Sequence, residues 1–432
     1  MKLSPGNARW RLASTSMLCV AIAGGFIALV DINAAVNNVE YIEVPVEEAW
    51  RVPTRSVLSP DGVWFAFASA LESETGQDPS FVRLFNLVSG EIRDIQSDAL
   101  KKFTWSPDSR FLAFSQGYAS GNDIFLYSLE SETTLNLMND GRNRHYLAWS
   151  PDSQKIATIS QQCITSEDCS LNLDVINVAQ SVRESSVNLV VTLPEIGFGY
   201  DPKWSPDGRY VSFVKKAPLL DSSIVPAEVL IWDTQNRVLT QATHFTSAAF
   251  EDGRYGLADA SYTTFWHDRD TLLIGASYWT DATGTRFGTY VYEVGEDLLT
   301  PLFDTFLTNG AQNPTNNQIA GRFTTIDPAN SPESRRPDAE NRVTLFTLDA
   351  AEATNIISQI DVMDITTIAC FFSWSPDGSV FVYHIPVNFC FDLTSEDLVI
   401  VDAATGTYQE FSLPLPEGVE TLAVIPLGWV AR

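Results

Sequence analysis

The pentapeptide Trp-Ser-Pro-Asp-Gly limits what this chain can fold into more than any other feature. It stands whole at Trp204–Gly208 and Trp374–Gly378. Ser replaces Gly at Trp105–Ser109 and Trp149–Ser153, and Leu replaces Trp at Leu58–Gly62. Each copy lies between two short apolar runs, as with Phe103-Thr-Trp before the turn and Phe111-Leu-Ala-Phe after it. These residues read as a tight hairpin. Pro pre-sets φ, Asp caps nearby backbone N–H groups, and Gly tolerates the left-handed conformation that closes the turn. The Trp just before the turn is a large apolar anchor suited to packing between neighbouring sheets.

Marked by the turn proline, the copies fall at Pro60, Pro107, Pro151, Pro206 and Pro376. The first intervals are roughly 45–55 residues, the period of a four-stranded propeller blade, and the last is about 170. That gap has room for two degraded copies. One is Phe265-Trp-His-Asp-Arg-Asp-Thr-Leu-Leu-Ile, and the other is Asn313-Pro-Thr-Asn-Asn-Gln-Ile-Ala-Gly, which aligns with Ser205–Phe213. With Asp268 and Pro314 as markers, the expectation is all-β: a seven-bladed β-propeller of four-stranded antiparallel blades over 36–432. The blades are expected near 51–97, 98–140, 141–195, 196–243, 260–304, 305–360 and 361–414.

The run Trp204-Ser-Pro-Asp-Gly-Arg-Tyr-Val-Ser-Phe resembles the WD40-like PD40 repeat of TolB-type propellers. The same repeat occurs in the propeller domains of prolyl-oligopeptidase-like peptidases. The resemblance covers almost all of the chain after residue 50. It implies a fold and says little about function, because propellers host many unrelated activities.

Residues 1–35 read as a targeting element. Lys2, Arg9 and Arg11 precede the uncharged run Leu12–Val30, which predicts a signal peptide or membrane-anchor helix, with Ala34 or Ala35 near a cleavage site. The positive flank puts the rest of the chain outside the cytoplasm, in the periplasm, at the cell surface or secreted. The formal net charge of −27 repels nucleic-acid phosphates and anionic headgroups. The expected partners are therefore proteins outside the cytoplasm, with membrane contact only through an uncleaved N-terminal segment. Beyond Cys19 the cysteines are Cys163, Cys169, Cys370 and Cys390, and in an exported chain this even number predicts disulfides 163–169 and 370–390.

Within each blade the A–B and C–D turns share one face, and they are short. The extra length falls in B–C and D–A connections such as 161–170, 215–227, 242–260, 278–288, 324–341 and 386–396. Insertions gathered on one face of a repeat protein predict its binding face. The 242–260 stretch mixes aromatic and charged side chains suited to contact: His244, Phe245, Phe250, Glu251, Arg254 and Tyr255.

No Gly-x-Ser-x-Gly elbow, HExxH, phosphate loop or zinc-finger spacing occurs, and no cofactor is expected. Oligogalacturonate lyases carry similar repeats and hold a metal with channel histidines. By that resemblance His145 and His384 are the candidates here, without any motif to link them. The leading expectation is an exported, non-catalytic propeller scaffold that binds another macromolecule through its long-loop face. The alternative is a propeller enzyme, a carbohydrate- or peptide-directed lyase or hydrolase, with its site at the channel mouth. A small-molecule sensor is a third reading, which predicts a closed apolar pocket.

Overall fold

The structure, a computed structural model, describes residues 15–23, 26–33, 38–43, 55–70, 80–97, 100–116, 123–163, 169–189, 202–216, 227–244, 261–280, 284–325, 340–349, 356–365, 370–385, 397–412 and 423–431. These residues form eight four-stranded antiparallel sheets. Seven are built from consecutive strands, A to D. Their A strands are Arg55–Leu58, Leu100–Trp105, Asn143–Trp149, Lys203–Trp204, Ser261–Trp266, Phe306–Gln312 and Cys370–Trp374. In the eighth, Ala423–Ala431 takes the A position and pairs with Thr15–Ala23, which is followed by Phe26–Asn33 and Asn38–Glu43. Each A strand touches the next, and Ala423–Ala431 touches both Cys370–Trp374 and Arg55–Leu58. The A strands thus close a circle, and the molecule is a β-propeller.

Two expectations change. Seven sheets carry the turn or its degraded forms, but among the described residues the ring contains eight. The apolar run expected as a signal or anchor helix instead holds two strands of the closing sheet. An uncharged stretch satisfies a buried sheet as well as a membrane span, so hydropathy alone does not separate the two. No described helix is long and apolar enough to cross a membrane.

Every whole turn closes on itself in the same way. In the fourth sheet Ser205 Oγ donates to Asp207 Oδ1 at 2.6 Å. The carboxylate accepts the N–H of Arg209, and Ser205 Oγ accepts the N–H of Tyr210. Gly208 closes the turn at φ 72°. Ser109 and Ser153 hold the same left-handed position at φ 60°, which is costly for a residue with a Cβ. Their hydroxyls give something back: Asp61 N–H donates to Ser109 Oγ at 2.9 Å, and Asp108 N–H to Ser153 Oγ at 3.0 Å. The two substitutions therefore join each turn to its neighbour in the preceding sheet.

The indoles join the sheets a second time. Trp204 Nε1 donates to Ala148 O at 2.9 Å, Trp266 to Lys203 O at 3.0 Å and Trp374 to Ala311 O at 2.8 Å. In each case the acceptor is the residue before the Trp position of the preceding sheet. Trp105 follows the sheet in which Leu58 replaces Trp, and its indole N–H is buried without an acceptor.

Apolar burial is divided among the seams. Val82, Leu84 and Ile95 of the first sheet pack on Trp105, Leu112 and Phe114 of the second. Ile159, Leu173 and Val175 of the third pack on Trp204 and Phe213 of the fourth. Phe114 and Phe213 are fully buried, and burying a side chain of this size contributes about 1.5–3 kcal/mol. Seams of this kind hold neighbouring sheets in fixed positions, and any site on the ring rests on that rigidity.

A pocket at the seam of the fifth and sixth sheets

The two faces of the ring differ in their connections. In the fourth sheet the A strand ends at Trp204 and the B strand resumes at Tyr210. The C strand ends at Asp233 and the D strand resumes at Val238. The A–B turns of the other six sheets are equally short. On the opposite face, Gln241 is followed by the next strand only at Ser261, and Thr325 only at Glu340.

A pocket of about 190 Å³ opens toward this second face, between the fifth and sixth sheets. Phe303, Asp304 and Thr305 come from the short link between these sheets. Phe323 lies on strand B of the sixth sheet (Gln318–Thr325), Arg342 and Thr344 on C (Glu340–Leu348), and Gln359 and Asp361 on D (Ile356–Ile365). Alternation along each strand brings these positions to one side of the sheet. The floor is aromatic: Phe303 meets Phe323 edge-on at 4.9 Å and Phe346 at 5.2 Å between centroids. At the rim the Asp361 carboxylate accepts from Arg342 Nη1 at 3.0 Å, Thr344 Oγ1 at 3.1 Å and Gln359 Nε2 at 3.2 Å. Held by these three donors, the Asp361 carboxylate in turn fixes Arg342, Thr344 and Gln359 in place at the rim.

The same place in the third sheet shows what keeps this pocket open. Pairing of Lys155 with Asn177 and of Gln318 with Thr347 sets Asp174 and Thr344 at equivalent positions. In the third sheet Arg144 pairs with Ser160, where the sixth has Leu307 paired with Phe323. The arginines fill the seam. Arg144 Nη2 donates to Asp140 at 2.6 Å, Arg142 Nη1 to Asp174 at 3.4 Å and Arg183 Nη2 to Asp140 at 2.8 Å. Burial would raise the Asp140 pKa, but the Arg144 hydrogen bond and the surrounding charges hold it below the usual carboxylate range. On the short-turn face a hollow of about 280 Å³ lies beside Asp207, Arg209, Tyr210 and Asp270. There Arg209 is already committed, 2.7 Å from Asp233 Oδ2 and over the Tyr210 ring.

Of the contact residues read from the sequence, His244 is described, with Nδ1 3.1 Å from Gln241 Nε2. Phe245, Phe250, Glu251, Arg254 and Tyr255 lie outside the described residues. His145 pairs with Ile159 in the third sheet, and His384 pairs with Cys370 and Leu398 in the seventh. Counted from the turn, His384 stands level with Ile159. The third and seventh sheets face each other across the ring, so the fold sets these two histidines opposite one another instead of side by side. Among the described residues no three His, Cys, Asp or Glu are grouped to hold a metal ion. Cys163 and Cys169 are directly paired across adjacent strands, whereas Cys390 lies outside the described residues. His267 takes the turn-serine position of the fifth sheet, where it is buried with Nδ1 unpartnered, and burial lowers its pKa.

Sequence reasoning missed the pocket residues. The available signal was Phe323 and Thr344 at alternating, inward-facing strand positions, beside a link of only two residues between Phe303 and Phe306.

No family model and no curated protein matches the chain. Solved structures do. The dihydro-haem d1 dehydrogenase NirN, solved in complex with DHE, is 12% identical with a TM-score of 0.54, covering 99% of this chain and 77% of that one. The β-propeller domain of the Trilobed protease from Pyrococcus furiosus is 12% identical with a TM-score of 0.48, covering 84% and 99%. TolB from Acinetobacter baumannii is 13% identical with a TM-score of 0.36, covering 84% and 82%. At such identities the likeness is one of fold, and the NirN superposition carries it.

Proposed function

We propose that this chain is a binding scaffold that works outside the cytoplasm and recognises another macromolecule through the face bearing its long connections. The observation that carries this reading is the asymmetry of the ring. The A–B turns are short and, in the whole copies, hydrogen-bonded within themselves. The opposite face carries the intervals from Gln241 to Ser261 and from Thr325 to Glu340. A rigid disc with variable loops on one side separates stability from specificity, because loop changes there leave the seams untouched. The aromatic-floored pocket opens on the same side and gives that face a fixed recess for an inserted side chain or sugar ring. The paired positions of Cys163 and Cys169 on adjacent strands support a location outside the cytoplasm.

The test is crosslinked capture from the native envelope with two variants, one loop-replaced and one point-substituted. Replacing 245–260 with a short Gly/Ser linker should abolish recovery of the partner, while a substitution on the short-turn face at Asp270 should leave it intact. Equal recovery with both variants would refute the assignment of the face.

A further inference from the structure

The described arginines that are buried or half-buried follow one rule with one exception. Arg83 reaches Asp94 at 2.6 Å, Arg93 reaches Glu91 at 2.7 Å and Arg144 reaches Asp140 at 2.6 Å. Arg142, Arg183, Arg209 and Arg342 likewise have carboxylates. Arg322 has none. Its Nε donates to Thr308 Oγ1, and its Nη1 is buried without an acceptor. Burial pushes its pKa down to about 10, with no neighbouring charge to offset it.

A guanidinium removed from water without a counter-charge is strongly disfavoured. The chain has 54 acidic residues against 27 basic ones, so a partner was readily at hand from its own composition. Arg322 lies on strand B of the sixth sheet, paired with Asn309 and Val343, three residues before the strand ends at Thr325. It shares its side of that strand with Ala320, which packs against Trp374, Phe381 and Tyr383 of the seventh sheet. This is the seam on the far side of the sixth sheet from the pocket, and the position is near the long-connection face. Thr308 holds the Nε edge and so fixes the plane of the fork. The Nη1–Nη2 edge remains for two-pronged pairing with an oxyanion.

We propose that Arg322 anchors a binding site for a carboxylate-bearing ligand at the long-connection end of the seam between the sixth and seventh sheets. A carboxylate is the partner that every other described buried or half-buried arginine takes, and it matches the planar fork. The site lies on the face assigned above to partner binding. Its test uses the purified chain without any macromolecular partner, so one reading can fail while the other stands.

The experiment is thermal unfolding and calorimetric titration of the full chain with acetate, succinate and inorganic phosphate, against chloride at matched ionic strength. The wild-type protein should show a saturable rise of a few degrees in Tm with the carboxylates and less with phosphate. Arg322→Met should unfold at the same or a higher temperature without ligand, because it removes an uncompensated charge, and should not respond to carboxylate. Arg322→Lys keeps the charge but loses the fork, and should bind at least tenfold more weakly. A wild-type protein without a saturable carboxylate response would overturn the proposal, as would Arg322→Met responding like wild type. A response to phosphate alone would overturn the carboxylate assignment. Loss of unliganded stability in both variants would make Arg322 a structural residue and end the proposal.

Discussion

Two turn glycines give the sharpest test of how the seams are held. Gly208 and Gly378 sit at the same position of the same motif, at φ 72° and 69°. Replacing either with Ala puts a Cβ into the left-handed region, at about 1–2 kcal/mol. Their surroundings differ. A Cβ on Gly208 would meet only Pro151 Cδ, at 3.7 Å, an ordinary contact. One on Gly378 would lie 2.2 Å from Asn313 Oδ1 and 2.4 Å from Thr315 Oγ1. Asn313 is buried and donates through Nδ2 to Gly378 O at 2.9 Å, while its Oδ1 accepts from the backbone and hydroxyl of Thr315. Displacing that amide leaves buried polar atoms unpaired, which adds about 1–3 kcal/mol. The backbone cost cancels between the variants, so their difference isolates the seam between the sixth and seventh sheets. Urea unfolding followed by tryptophan fluorescence should place Gly208→Ala about 1–2 kcal/mol below wild type and Gly378→Ala about 2–5 kcal/mol below it. Equal losses, or a larger loss at Gly208, would refute the claim that Asn313 joins the turn of the sixth sheet to that of the seventh.

Other outcomes follow from the same geometry. Trp374→Phe removes an indole hydrogen bond and leaves Ala311 O without its donor, so it should cost about 1–3 kcal/mol more than Trp105→Phe, whose indole has no acceptor; matched urea titrations measure the difference. His267 is buried and its pKa is lowered by burial, so its contribution is fully present above the unfolded pKa of about 6.5 and is lost as pH falls below it. His267→Ser, which restores the residue of the other turns, should flatten the loss of stability that begins as pH falls below about 6.5; a slope like that of wild type would exclude His267 as its source. Peptide mapping under non-reducing conditions should recover Cys163 linked to Cys169, and finding both as free thiols in protein purified from the envelope would exclude that pair.

The parts of this fold that were legible in the sequence are those in which each residue has a local task. Ser, Pro, Asp and Gly each close part of one turn, and Trp reaches one carbonyl in the sheet before, so the motif survives as a string. Even the degraded copies keep these tasks: Trp266 retains its bond to Lys203 O, and Asn313 N–H closes on Gln318 O as Ser205 N–H closes on Tyr210 O. The eighth sheet has no such string. Its two middle strands come from a run that reads equally well as a membrane segment, and its inner strand comes from the opposite end of the sequence. One local sign was present, because Gly24-Gly25 divides the run into two apolar stretches, and Ala23 pairs with Phe26 across that two-residue link. The pocket and Arg322 were illegible for a different reason. Each depends on which side of a strand faces a neighbouring sheet, and on whether residues hundreds of positions away offer a charge. Register supplies that information, and spacing does not.

The clasp between Thr15–Ala23 and Ala423–Ala431 bears on how the molecule would survive damage. A single proteolytic cut in a long connection such as 245–260 would yield two fragments, each carrying one half of the clasp. They would stay bound at two borders, by strand pairing at the clasp and by the packed seam beside the cut. Nicked protein should therefore migrate as one particle until denatured, and would release its halves only when both borders open together.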